Sequence, residues 1–467
     1  MTRGGGVEIR RFHELADVAP LAPCIDALNL ASPRPSPFAT YAHLERAVRF
    51  ASFSRHTAPG KLWFLGAFTG ESLVGFLALK ETTTRFFGLP ARRLEFLVTR
   101  DFDRPCIVAA REYLEEIAHA LYCFLIAQRR RWDYLEFGQQ DGASILRRMI
   151  RETAVRGLAV REFENWENCT VPIQWSSVEQ YLEALERKFR ANVKRQMRKL
   201  FASGELEVLY SSDPANASAL LALYCDIERR SWKSSCDHAV GFDPQALAYY
   251  RDWFAAGEPF RLEATLLLID GLPIAGSLVG TFDTGSGAGS YALQIAYDRR
   301  FHAVAPGSAI MMLAVHRAIE RQHRFLNLLS GFSYYKRQWL ADVTPLLAVQ
   351  VYRVPSAPYL HRWLGDLRRK AVPIRQRERQ RLNPARQANG SPAPEPVDPQ
   401  GGEAGAQDVL VSRGQLSQWL AEARRGRCDC LSSREFASTF PFVRETESPH
   451  RRASADGADG VLGRGPA

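Results

Sequence analysis

Between Lys61 and Gln140 the apolar residues come in a definite order. Two dense runs, LWFLGAF and SLVGFLALK, flank Thr69-Gly70, which predicts two strands joined by a tight turn. ARRLEFLV reads as a third strand, REYLEEIAHALYCFLIAQRRR as a long amphipathic helix and WDYLEFG as a buried closing strand. The same order returns about 200 residues later. ATLLLID and LPIAGSLVGTF form a strand pair around Gly271, SYALQIAYD is the third strand, and RFLNLLSG is the closing strand. The helix between them, over residues 307–322, carries Ile310, Met311, Ala314, Val315, Ala318 and Ile319 at helical period. Arg317, Glu320 and Arg321 fall on its other side. In both copies two glycines lie five apart, Gly70 with Gly75 and Gly271 with Gly276, and the closing glycines Gly138 and Gly331 follow at 63 and 55 residues. The pattern predicts an internal duplication: a mixed α/β fold of two lobes built to one design.

The remaining segments fit around these lobes. Residues 7–60 read as helices and loops, interrupted by SPRPSP at 32–37. Between the lobes, LERKFRANVKRQMRKL predicts a helix with Phe189, Val193, Met197 and Leu200 on one side. Its cations, from Arg187 to Lys199, form either a solvated face or a contact for an anionic ligand. SALLALYCDIERRSW and PQALAYYRDWF predict two more helices, and TPLLAVQVYRV a final strand. The expected boundaries are 1–172 for the first lobe, 173–355 for the second and 356–382 for a basic helical extension broken at Pro373. Residues 383–467 are expected to be a disordered tail, apart from a short helix around LSQWLAEARR.

Charge narrows the partners. The 467 residues carry a formal net charge of +10, which favours anionic ligands: a phosphate-bearing co-substrate, nucleic acid, or an anionic surface met by residues 361–382. No signal-peptide core or bilayer-length apolar run is present, so a cytosolic protein is expected. The eight cysteines are scattered without a CxxC pair or partnering histidines, so neither a metal site nor a disulfide framework is expected, and Cys428 and Cys430 in the tail read as incidental.

The candidate chemistry lies in the second copy. Pro306-Gly307-Ser308-Ala309 opens its helix, and free backbone N–H groups approached through glycine form a seat for phosphate, with Arg299 and Arg300 just before it. At the corresponding place the first copy has TRDFDRPCIVA, with two aspartates and no glycine. Carboxylates repel phosphate, so the first lobe is expected to have kept the scaffold and lost the chemistry.

The order of strand pair, strand, Pro-Gly helix and strand, ending in Gly331, Tyr335, Lys336 and Trp339, resembles the GNAT acyltransferase superfamily. It is similar in particular to the CelD/BcsL-type branch, whose members carry tandem GNAT-like lobes and a closing "G…YK..W" signature. PFATYAHL and CDIERRSW fit that branch, and the likeness spans roughly residues 7–355. Two positions depart from the pattern: Val304 leads the acyl-CoA loop where Arg or Gln is usual, and Asn327 stands where an acid is common.

The resemblance implies an acyl-CoA, and no metal, in a splay between Tyr291–Asp298 and Phe325–Ser330. Amides near Gln294, Ile295 and Ala296 would polarise the thioester, and Arg299, Arg300 and Pro306–Ala309 would hold the phosphates. It implies Glu228 or Asp298 as proton acceptor for the attacking amine and Tyr335 as proton donor to the thiolate. Lys336 is implied as an oxyanion or phosphate contact, and Trp232, Tyr334 and Trp339 as substrate walls. The expected reaction is N-acylation of a small-molecule or saccharide amine. Two alternatives stand beside it: a FemAB-like transferase drawing on aminoacyl-tRNA, which would give the basic helix a ligand, and a non-catalytic scaffold.

Overall fold

The computed structural model describes residues 6–50, 61–235, 239–257, 259–331 and 333–371, with tail residues 418, 420–421, 429–432 and 434–435. In the first half, β1 (Glu8–Phe12) precedes three helices, α1 (Leu15–Val18), α2 (Ala22–Ala31) and α3 (Tyr41–Arg49). There follow β2 (Lys61–Thr69), β3 (Ser72–Phe86), β4 (Leu89–Phe96), β5 (Val108–Ala109), α4 (Leu114–Ala127), β6 (Tyr134–Gln140), α5 (Ile145–Glu152) and β7 (Leu158–Pro172). The second half begins with α6 (Val178–Ala184), α7 (Arg187–Phe201), β8 (Leu206–Ser211), α8 (Ala217–Arg229) and α9 (Pro244–Ala256). It continues through β9 (Phe260–Ile269), β10 (Leu272–Asp283), β11 (Ala288–Tyr297), α10 (Pro306–Glu320), β12 (Phe325–Ser330), α11 (Ser333–Gln338), β13 (Asp342–Arg353) and α12 (Ala357–Ala371). A tail strand, β14 (Asp429–Ser432), ends the described elements.

All the strands join one mixed sheet in the order β1-β2-β3-β4-β6-β13-β7-β12-β11-β10-β9-β8-β14, with β5 beside β3. Apart from β14 and β5, this order is a palindrome of the duplicated design. Strands β1, β2, β3, β4 and β6 run toward the centre from one side, and β8, β9, β10, β11 and β12 from the other. At the centre the closing strands are exchanged: β13 of the second half pairs with β6, and β7 of the first half pairs with β12. Strands β13 and β7 also pair with each other over Asp342–Arg353 and Leu158–Thr170. The paired glycines have matching roles. Gly70 and Gly271 adopt φ 60° and 73° in the hairpin turns, where left-handed backbone is needed. Gly75 and Gly276 lie in β3 and β10 under close neighbours, and a Cβ on Gly75 would come within 2.4 Å of Ile117.

Strand alternation builds a core on each face of the sheet. In β9, Leu262, Ala264, Leu266 and Leu268 pack toward α8 and α9, while Leu267 and Ile269 pack toward α7 and α10. In the first half α4 and α5 cover one face and α1–α3 the other. Phe50, just after α3, reaches across into the second half's core.

Five strands differ from the sequence reading. Glu8–Phe12, within a stretch read there as helices and loops, is β1; Val108–Ala109, Leu158–Pro172 and Leu206–Ser211 are β5, β7 and β8, which no expectation covered. The tail is not wholly without structure: Asp429–Ser432 pairs antiparallel with Glu207–Tyr210 of β8, and Leu420 is buried in the core beside α8 and α9. An edge strand offers unpaired N–H and C=O groups, and β14 satisfies those of β8. Residues 383–417, most of LSQWLAEARR, and 372–382 of the basic extension lie outside the described residues.

Candidate active site

Strands β11 and β12 pair in parallel only at Ser290–Leu326 and Tyr291–Asn327, then diverge. Beyond Tyr291, β11 remains bonded to β10 alone, with a bulge opposite Leu278–Val279. Strand amides point alternately to the two sides, so past the bulge at Leu293 every second residue up to Tyr297 turns its backbone groups toward the gap. The gap is a cavity of about 870 Å³, within the range of about 300–1,000 Å³ usual for small-molecule sites. From β11 it is lined by Ala292, Leu293, Gln294, Ile295 and Tyr297, and from β12 by Leu328, Leu329 and Ser330.

The start of α10 forms another wall. Ala305, Gly307 and Ser308 line the cavity, joined by His302 from the turn before them. Ala305 occupies the N-cap with φ 52° and no side chain caps the helix; Pro306 has no N–H and the Ser308 N–H is 3.0 Å from the Ala305 carbonyl, so of the first three residues only Gly307 has an N–H left to the cavity. A Cβ at 307 would sit 3.1 Å from Cδ1 of Tyr297, a tight contact that glycine avoids. Of the other residues expected to contact the acyl-CoA, Pro306, Ala309 and Ala296 are buried outside the cavity lining and Arg299 also lies outside it. The Arg300 guanidinium is held by Asp298, its Nη2 2.6 Å from Oδ2.

The carboxylates expected to take the proton are both occupied elsewhere. Asp298 is fully buried, accepts from the Arg300 N–H at 3.0 Å and from Arg230 Nε at 2.7 Å, and caps the turn Arg299–Val304. Although burial opposes ionisation, these hydrogen bonds hold its carboxyl below the usual range. Glu228, also fully buried, accepts from Lys233 Nζ at 3.2 Å and the Gly241 N–H at 2.8 Å. Neither lines the cavity.

The carboxylate that does line it comes from the first half. Arg100, Asp101 and Phe102, from the loop after β4, and Gln139 of β6 complete the wall. Gln294 Nε2 donates to Asp101 Oδ1 at 3.2 Å, Tyr250 OH donates to Asp101 Oδ2, and Lys233 Nζ donates to Gln294 Oε1 at 2.5 Å. Burial raises the Asp101 carboxyl above its ordinary value and lowers the Lys233 ammonium below its own. This loop of the first half, expected to be a degenerate counterpart within its own lobe, instead forms part of the wall of the second half's cavity. Of its two aspartates, Asp101 lines the other lobe's cleft, and Asp103 lies behind it, outside the cavity lining. Asp103 accepts from Asn327 Nδ2 at 2.8 Å and Asn168 Nδ2 at 2.9 Å, so an acid from the first half stands beside the asparagine of β12. In the first half, Gln140 Nε2 at the end of β6 donates to the Pro105 carbonyl at 3.0 Å, and the void beside Phe96, Leu97 and Val98 at the end of β4 is only about 50 Å³.

The closing aromatic cluster divides. Gly331, at φ 135°, lets the chain turn back so that α11 packs against β7 and β13 while Lys336 reaches the end of β12. Lys336 is buried, and its Nζ donates to the carbonyls of Leu328, Leu329 and Ser330 at 2.8, 3.2 and 3.2 Å. Those carbonyls have lost sheet partners where β11 and β12 part, and the ammonium satisfies them. Burial lowers its pKa. Trp339 lies under the cavity with its ring 5.1 Å from that of Phe189, edge to face. Tyr335 and Trp232 line the cavity and are half-exposed, and the protein around Tyr335 pushes its hydroxyl pKa up. Tyr334 is 81% exposed and does not line the cavity.

Among the described residues no group of three or more His, Cys, Asp or Glu side chains is placed to hold a metal, and no helix is long and apolar enough to cross a membrane. Sequence reasoning missed Arg100, Asp101, Lys233 and Gln139. Lys233 adjoins the singled-out Trp232, but nothing in a linear reading brings residue 101 beside residue 294.

Fold and cleft together define a twin-lobed mixed α/β protein with one open splay. Residues 187–337 match the model of the acetyltransferase (GNAT) domain, which places that domain across the cavity-bearing half. No curated protein matches the chain. Among solved structures, the chain is similar to a crystal structure of FemX at 12% identity and a TM-score of 0.49, over 75% of this chain and 99% of that one. It is also similar to a conserved protein of unknown function from Bacteroides thetaiotaomicron VPI-5482, at 12% and 0.47 over 74% and 99%. A tandem GNAT protein from the clavulanic acid biosynthesis pathway gives 13% and 0.41 over 75% and 100%.

Proposed function

We propose that this chain is an acyl-CoA-dependent N-acyltransferase acting on a small-molecule or saccharide amine, of the CelD/BcsL type. One observation carries the reading. A single cavity gathers an unpaired strand edge, an uncapped glycine-bearing helix start and a buried carboxylate. In this reading the Gly307 N–H at the start of α10 holds the diphosphate, where the helix dipole favours negative charge. Amides on the open edge of β11 stabilise the oxyanion that forms on the thioester carbonyl. Asp101, with its pKa raised toward the working range, takes the proton from the attacking amine directly or through water. Tyr335, whose hydroxyl stays protonated at neutral pH, returns one to the leaving thiolate. Trp232 and Trp339 form walls, and Lys336 and Asp298 position the two sides of the splay.

The test is thermal unfolding with a panel of acyl-CoAs, repeated on Gly307→Glu. Protection of the parent by at least one CoA ester, lost in the variant, supports the reading; no protection by any ester overturns it. Aminoacyl-tRNA is the rival donor, because α7 packs against α10 and the turn before it with Arg187, Lys188, Arg195 and Lys199 exposed. Tight tRNA binding that falls steeply with salt would favour that donor.

A further inference from the structure

Helix α12 rests on the sheet by its polar side. Pro358 is buried, the His361 ring lies 5.2 Å from Phe86 and 5.3 Å from Phe87, Arg362 stands over Phe163 at 5.9 Å, and Asp366 is 3.7 Å from Arg161. At 100° per residue these positions share one face. Leu360, Trp363, Leu364 and Leu367, spaced i, i+3, i+4 and i+7, occupy the opposite face, and there they are 39–49% exposed. An ordinary surface helix presents these faces the other way round. Beside it, the β3–β4 hairpin turns through Phe87 and Gly88, at φ 52° and 79°, with Phe87 and Leu89 both more than half exposed. The first position of such a turn suits Asn, Asp or Gly, and a phenylalanine there bears backbone strain while its ring faces water. Two elements distant in sequence thus present adjoining apolar groups.

We infer that this face, Leu360, Trp363, Leu364 and Leu367 with the Phe87–Leu89 tip, seats the protein on an anionic lipid surface. The charge decides for lipid headgroups over an apolar protein partner. From His361 to Leu382 the sequence has eight Lys and Arg against two acids, and the whole chain is at +10. An apolar helix face continued by a cationic run is the pattern that inserts shallowly among acyl chains while its cations meet anionic headgroups. Aromatic side chains such as Trp363 and Phe87 suit that interface. The inference is independent of the acyl-transfer reading.

The experiment is co-sedimentation of the full chain with vesicles of phosphatidylcholine alone and of phosphatidylcholine with about one-third phosphatidylglycerol, across a salt series. Binding to the anionic vesicles only, weakened by salt, is expected. The double variant Leu364→Glu/Leu367→Glu should bind at least about tenfold more weakly. Phe87→Asn provides a second reading: it relieves the turn, so its melting temperature should rise while its vesicle binding falls, a combination that damage to the fold cannot produce. Absence of binding by the parent, equal binding by the variants, or burial of these residues in a dimer of the chain would each overturn the proposal.

Discussion

Replacing Asp101 tests whether the first half takes part in the chemistry. In Asp101→Ala, Tyr250 OH and Gln294 Nε2 both lose their acceptor. Each buried donor left unpaired costs about 1–3 kcal/mol, so a loss of roughly 2–6 kcal/mol is expected, less what is regained by no longer burying a charge. Asp101→Asn keeps one carbonyl oxygen in place, and its stability should stay within about 1–2 kcal/mol of the parent. Activity should separate the two effects. Removing a general base typically lowers the rate by about 10²–10⁴-fold, so Asp101→Asn should lose kcat by that order while its KM for the acyl-CoA is unchanged.

The pH dependence has a definite sign. Burial makes the folded protein hold the Asp101 proton to higher pH than the unfolded chain does. Between the ordinary value of 3.8 and the raised value, the folded state binds more protons, so this group's contribution falls as pH rises and stays unfavourable above the window. Asp101→Asn should therefore gain stability relative to the parent as pH rises through that window, by about 1.4 kcal/mol for every pH unit crossed. It should also lose the acid limb of the pH–rate profile. Urea unfolding between acid and neutral pH, with steady-state kinetics over the same range, makes both measurements. A kcat within about threefold of the parent, with the acid limb intact, would refute Asp101 as the proton acceptor.

Gly307→Glu should abolish protection by acyl-CoA and lower the melting temperature slightly, because the added Cβ meets Tyr297 at 3.1 Å. Full protection in a thermal shift assay would show that the start of α10 does not hold the ligand. Lys336→Met strands the carbonyls of Leu328, Leu329 and Ser330, and should cost about 2–4 kcal/mol in urea unfolding, since the cavity lets water satisfy part of the loss. Unchanged stability with lost activity would assign Lys336 to the reaction instead. Deleting residues 405–467 removes β14 and Leu420 from the second half. It should cost about 2 kcal/mol or more, the value of burying one leucine; an unchanged melting temperature would show that the tail contributes nothing.

Elements whose own residues carry a period were legible in the sequence. β9, β10 and α10 were read within a few residues, and the glycine pairs marked the two hairpins. Strand β7 was not, because LAVREFENWENCTVP carries Glu162, Glu164 and Glu167 where a central strand normally has an apolar run. Its charges are answered by other elements: Arg147 Nη2 lies 3.0 Å from Glu162 and Arg337 Nη2 3.2 Å from Glu167. At the site, the sequence located the splay, the Pro-Gly turn and the aromatic cluster, since these lie within one stretch of chain. It did not locate the partners of Asp298, Glu228 and Lys336, because a carboxylate or ammonium in a linear reading has no visible counter-ion. It also misread the TRDFD loop, since like-charge reasoning applied within one lobe assumes the neighbour that chain order suggests.

The strand exchange explains why two halves of such unequal chemistry stay joined. β12 has a cleft on one edge, and on the other its partner is β7, which belongs to the first half. Asn168 of β7 bonds both Asp103 and Asn327, so the loop after β4 is tied to β12 through a buried polar cluster. Buried polar groups demand all their partners, and losing one strands the others. A cut at the sequence-based boundary after residue 172 would leave β12 with a bare edge and remove Arg100, Asp101, Phe102 and Gln139 from the cavity wall. The cleft is therefore a property of the whole sheet. The first half, with only a small void at the end of its own β4, remains necessary because it completes the splay between β11 and β12.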